Sequence, residues 1–162
     1  FKRDRMIGQL NEEESRGLLW AINKVKKGFI IIPGANLEIV SAKSIIVPEL
    51  QGDKIMITIA IDEESNLLEY DGHREISSAL LQDLEKDQAQ EIESQVMAAV
   101  EKSRALNADV FGFGEAVHRR YKKEWPDLKA RWEEIYPNIE VVVKVKTHVN
   151  EIGEIKKTMI KD

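Results

Sequence analysis

The segment from Ile139 to Val149 constrains the fold more than any other part of the chain. Ile139, Val141, Val143, Val145 and Val149 alternate with Glu140, Lys144, Lys146 and His148. Successive strand side chains point to opposite faces, so this period of two describes a strand with one dry face and one wet face. Such a strand needs partners in a sheet and a second layer over its apolar side. The odd-numbered residues are expected in the core. His148 falls on the polar face and reads as an exposed histidine.

Further strands precede it. Phe29 to Ile32 ends at the Pro33-Gly34 turn signal. Leu37 to Val47 changes apolar parity along its length, which predicts a β-bulge near Val40. Ile55, Ile57, Ile59 and Ile61 alternate with Met56, Thr58 and Ala60, placing at least one face inside. Leu67 to Tyr70 and Asp4 to Gln9 read as short additional strands. Past Gly153, Ile155 to Ile160 is predicted to pair back as a hairpin.

The covering layer is helical. Asn11 followed by Glu12, Glu13 and Glu14 is a capping-box start for a helix to about Asn23. Ser77 to Asn107 is a long amphipathic helix. Leu81, Leu84, Ile92, Val96, Ala99 and Leu106 lie near one stripe, and most of the acidic residues lie off it. Two shorter helices follow, over Phe113 to Lys123 and Asp127 to Ile135, with Pro126 suited to a first turn. Strands followed by a block of helices predict an α+β fold: a mainly antiparallel β-sheet with the long helix and the shorter helices packed on it. No repeat or linker divides the 162 residues, so a single domain is expected. The chain starts at Phe1, within what already reads as a folded segment, and is taken as a fragment of a larger protein.

Few kinds of chemistry fit these residues. There is no cysteine, which excludes disulfides and thiolate ligands or nucleophiles. The net charge of −5 argues against general nucleic-acid binding, since phosphate neutralisation needs surplus cations. No apolar run approaches the roughly 20 residues of a membrane-spanning helix. His73, His118 and His148 lack a metal-ligand motif, and no metal or cofactor is expected. Ser15 and Ser41 lack a nucleophile-elbow context. The lone Gly112-Phe113-Gly114 is too weak a phosphate signal, and Glu115 would repel phosphate. One catalytic reading stays open: a small metal-dependent hydrolase using Asp109, Glu115 and His118.

Charge is unevenly distributed. His118, Arg119, Arg120, Lys122, Lys123, Lys129 and Arg131 form a basic stretch in an acidic chain. Two readings compete. The cations close helix C-termini or dock on the acidic face of the long helix. Alternatively, Arg119, Arg120, Lys122 and Lys123 form a patch facing anionic lipid or an acidic partner.

Two ordered segments are more specific than periodicity. One runs Leu10-Asn11-Glu12-Glu13-Glu14-Ser15-Arg16-Gly17-Leu18-Leu19-Trp20. The other runs from Ala108-Asp109-Val110-Phe111-Gly112-Phe113-Gly114 through His118-Arg119 to Trp125, Trp132 and Tyr136-Pro137. With a long charged helix before the second and a Val-rich strand after it, the set resembles the C-terminal domain of the Ger(x)C family of spore germination proteins. The resemblance implies a subunit of a nutrient germinant receptor, with no enzyme activity and no cofactor. It implies a multi-domain lipoprotein on the outer face of the inner spore membrane, held by an upstream lipidated cysteine, with two membrane-embedded partners, the A and B subunits. It brings no catalytic residues.

The motif residues have physical readings of their own. Arg16 is one turn from Trp20 and is expected over the indole. Gly17 permits a close contact. Asp109 is a candidate N-cap for the helix after it, and Phe111 and Phe113 are core anchors beside Gly112 and Gly114. Trp125 and Trp132 are expected to clamp the short helix to the sheet.

Overall fold

A computed structural model describes residues 5–151. The sheet has four strands in sequential order: β1 (Gly28–Ile32), β2 (Ala35–Gln51), β3 (Lys54–Tyr70) and β4 (Glu140–Glu151). β1–β2 and β2–β3 pair antiparallel, whereas β3–β4 pair parallel. The sheet is therefore mainly antiparallel, as expected, but closes on a parallel strand. The connection explains the difference. A parallel neighbour needs a crossover of a dozen residues or more, and the whole helical block lies between β3 and β4.

The alternating segments occupy the expected faces. Ile55, Ile57, Ile59 and Ile61 are buried, and Ile139 and Val149 are the most buried residues of the Val-rich segment. Between them, Val141, Val143 and Val145 are half-buried and pack against the core, while Lys144, Lys146 and His148 are exposed. The register of β2 on β3 slips between Ile39 and Ser41, which places a bulge at Val40. Leu67–Tyr70 is not a separate strand. It continues β3, because Ser65 and Leu67 keep the buried parity of the isoleucines.

Two long-range contacts hold the helices down. α1 (Glu12–Ala21) starts with the full capping box: Asn11 Oδ1 accepts from Glu14 N at 2.8 Å, and Glu14 Oε2 accepts from Asn11 N at 2.8 Å. α2 (Ser78–Ala105) is capped by the Ser77 hydroxyl. Both helices end in the same way. Asn23 and Asn107 take left-handed φ values of 62° and 47°, and the two residues after each cap bond back to the last turn. α1 crosses α2 at Gly17, where any Cβ would overlap the main chain of Gln95. Next to that crossing, Trp20 is buried and its Nε1 donates to Gln95 Oε1 at 3.1 Å. α2 covers the sheet with Leu80, Leu84, Ile92, Val96, Ala99 and Val100.

The remaining helical segments are shorter than the sequence predicts. α3 spans Phe113–Arg120, α4 Trp125–Ala130 and α5 Trp132–Ile135, followed by a 3₁₀ turn over Tyr136–Asn138. The predicted single helix from Asp127 to Ile135 is broken at Arg131, whose φ of −112° is not helical. The predicted strand Asp4 to Gln9 reduces, among the described residues, to one bridging residue at Arg5. A few residues on, Gly8 lies against Leu106 at the end of α2. The Ile155 to Ile160 hairpin lies outside the described residues. Among those described, no helix is long and apolar enough to cross a membrane.

Candidate functional site

The second motif folds into an aromatic knot around the start of α3. Phe111 and Phe113 are buried and stack with ring centroids 5.0 Å apart, and Tyr136 leans on Phe113 at 6.1 Å. Gly112 holds a left-handed φ of 76° at the N-cap position, a conformation that glycine adopts without a Cβ clash. Asp109 is therefore not the formal N-cap but stands three residues before it. From there its Oδ1 accepts from Phe113 N at 2.8 Å and its Oδ2 from Gly114 N at 2.7 Å. One carboxylate satisfies two orphan amides of the first turn, where the helix dipole also favours negative charge.

Trp125 and Trp132 are half-buried and pack against the core. They meet each other edge-on at 5.3 Å. Their rings close over Gly114, where an added Cβ would lie 3.1 Å from Trp125 and 3.2 Å from Trp132. His118 stacks on the outer side of Trp125 at 5.4 Å, and its Nδ1 is 3.8 Å from Glu115 Oε2. The hydrolase reading fails on this geometry. Asp109 is bound through both oxygens to main-chain amides, so it is not free to join Glu115 and His118 around a metal or a water. Among the described residues, no three His, Asp or Glu side chains are placed to hold a metal ion.

The Arg16–Trp20 stack does not form. Burial draws Trp20 inward to Gln95, and the Arg16 guanidinium instead donates to Phe29 O at 2.9 Å, tying α1 to β1.

The basic stretch is a surface feature. Arg119, Arg120, Lys122 and Lys123 are exposed. None of the four forms an ion pair among the described residues; the Arg120 guanidinium lies 5.8 Å from the Tyr121 ring centre. They do not dock on the acidic face of α2. His118, Arg119 and Arg120 do occupy the last turn of α3, where the dipole favours cations. Of the outlying members, Arg131 approaches Asp53 at 3.7 Å.

One polar cluster escapes a motif search. Glu63, Ser65 and Gln88 are buried between β3 and α2. Ser65 and Gln88 hydrogen bond each other, with Gln88 Nε2 donating to Ser65 Oγ at 3.1 Å. Among the described residues, neither carboxylate oxygen of Glu63 has a hydrogen-bond partner. Burial pushes its pKa up to about 7; the nearby Gln88 and Ser65 dipoles oppose the shift and Glu64 adds to it. The signal was present in the sequence: Glu63 shares the odd parity of Ile55 to Ile61, so extending that strand by one step puts it on the buried face.

Comparison with known proteins agrees with the fold and places the family. The chain is 24% identical over 152 residues to spore germination protein KC of Bacillus subtilis (strain 168), covering 89% of this chain and 37% of the relative. It is 26% identical over 165 residues to spore germination protein YndF of the same organism, covering 96% and 40%. The chain thus spans about two-fifths of the length of these relatives. The crystal structure of the GerBC protein superposes with a TM-score of 0.79 at 19% identity, over 91% of this chain and 48% of that one. That likeness supports the α+β fold with its mostly antiparallel sheet. The model of the C-terminal domain of spore germination B3/GerAC-like proteins matches residues 1–153, and the chain belongs to that family.

Proposed function

We propose that this domain serves a nutrient germinant receptor as part of its C subunit, working through protein contacts and without chemistry of its own. In this reading the whole protein is a multi-domain lipoprotein, anchored at the outer face of the inner spore membrane beside the membrane-embedded A and B subunits. Family membership supports the role in germination. The observation that carries the contact reading is the cluster of four exposed cations without ion-pair partners among the described residues, Arg119, Arg120, Lys122 and Lys123, in a chain of net charge −5. Unpaired Arg and Lys beside aromatic rings suit an interface, where Arg and Trp are enriched among the residues that carry binding energy. An anionic lipid surface would attract the same charges.

The test is charge reversal in the full-length protein. Arg119→Glu with Lys123→Glu should lower recovery of the C subunit with its membrane partners and slow nutrient-triggered germination. Normal assembly and normal germination would assign these cations to the α3 terminus alone.

A further inference from the structure

Among the described residues, the outer edge of β2 is only partly covered by strand pairing. β1 pairs with it over Ala35–Ile39 and no further. From Ser41 to Gln51, β2 keeps unbroken antiparallel register with β3, so alternate main-chain groups point away from β3. Side chains from other elements show which ones. Asn23 Oδ1 accepts from Ser44 N at 3.0 Å, and Tyr121 Oη accepts from Leu50 N at 3.1 Å. The even-numbered amides therefore face outward. Pro48 is even and has no N–H, a usual way to blunt an edge. Between the Asn23 and Tyr121 contacts Ile46 is the even residue left over, and among the described residues no side chain or loop accepts from its N–H.

A groove of about 320 Å³ lies beside that amide, between Ile46–Pro48 and the α3 residues Ala116, Arg119 and Arg120. Ile45, on the open face of the sheet, is 51% exposed. We propose that this groove receives an extended acidic segment of a partner protein, which adds as a short strand to the uncovered edge of β2 and sets its carboxylates on Arg119 and Arg120. The proposal rests on the receptor-subunit reading and deepens it. Charge complementarity selects the occupant: both arginines are exposed and without ion-pair partners among the described residues. Strand addition uses main-chain hydrogen bonds for affinity and flanking side chains for choice of partner. Paired with carboxylates, guanidinium groups supply directional, charge-assisted bonds. A lipid surface would use the charge but not a strand edge with a fixed register. Asn23 and Tyr121 bound the open stretch, leaving room for about five residues of partner strand.

Pairing through the main chain tolerates sequence, so a generic probe suffices. The probe is a fluorescein-labelled octapeptide of alternating Glu and Val, added to the chain of residues 1–162. Two further versions are N-methylated, each on one of the two alternate sets of amides. Saturable binding is expected, with slower hydrogen exchange at the Ile46 amide. One methylated version should bind about tenfold more weakly and the other like the parent. Arg119→Glu with Arg120→Glu should weaken binding about tenfold.

Three results overturn the proposal. The first is equal binding by both methylated versions, or unchanged Ile46 exchange in the bound state. The second is no saturable peptide binding up to about 1 mM. The third is charge-dependent binding to phosphatidylglycerol–phosphatidylcholine vesicles in place of the peptide. Assembly is read separately. If charge reversal abolishes complex recovery while the peptide does not bind, the subunit reading stands and the strand-edge inference falls. Peptide binding at Ile46 with unchanged assembly retains the groove and removes the patch from the receptor contact.

Discussion

Glu63→Gln should stabilise the domain above neutral pH and leave it nearly unchanged in acid. Glu63 lies under α2 with 4% of its surface exposed and, among the described residues, no hydrogen bond to either oxygen. Its pKa rises from the ordinary 4.5 to about 7, chiefly through burial. Because the folded value is raised, the folded state holds a proton that the unfolded chain has already released. The favourable contribution is complete below pH 4.5, declines as pH rises and is gone above about 7. The interval between the two values corresponds to about 3 kcal/mol. Glutamine keeps the shape and stays neutral, so it does not pass through this loss. Urea denaturation of both proteins between pH 4 and 8.5 isolates the effect, since the other titrating groups cancel in the difference. The variant should gain on the parent progressively from pH 4.5 and level off near pH 8, with equal m-values throughout. A difference independent of pH, or a parent more stable than the variant at pH 8, would refute the assignment of a buried, unpaired carboxylate.

Other substitutions test the packing and the surface. Gly17→Ala should lower stability by about 3 kcal/mol in urea titrations, because its Cβ overlaps the Gln95 main chain at the α1–α2 crossing. Asp109→Ala should destabilise by about 2 kcal/mol, since it strips the Phe113 and Gly114 amides of their acceptor; coincident denaturation midpoints would end that reading. Arg119→Glu with Lys123→Glu should shift the stability of the isolated domain by less than about 0.5 kcal/mol. A larger loss would make these cations part of the fold and weaken their use as a contact surface.

Much of this architecture was legible in local pattern. The alternation in Ile55 to Ile61 and Ile139 to Val149, the Asn11–Glu14 capping box and the parity change at Val40 each correspond to an observed element. These signals depend on neighbours a few residues apart, which the linear order states directly. The candidate surface was legible as a run of cations from Arg119 to Lys123. What the run faces was not, because pairing with the acidic face of α2 depends on where α3 comes to rest in space.

The sequence alone determined the alternation that demands a sheet, the amphipathic stripe that covers it, and a charge distribution poor in sites for chemistry. Tertiary structure decided the rest. It set the direction of β4, because a crossover of helices permits a parallel neighbour. It sent Trp20 to Gln95 and Arg16 to the Phe29 carbonyl, since burial outweighs a surface cation–π contact worth about 0.5–1 kcal/mol. It placed Asp109 three residues before the cap that it serves. It enclosed Glu63 beneath α2 and left Ile46 on an open strand edge beside two arginines. Apart from the local Asp109 cap, each of these depends on elements far apart in the chain, and their relative placement is set by the packing of the whole core, which no local window contains.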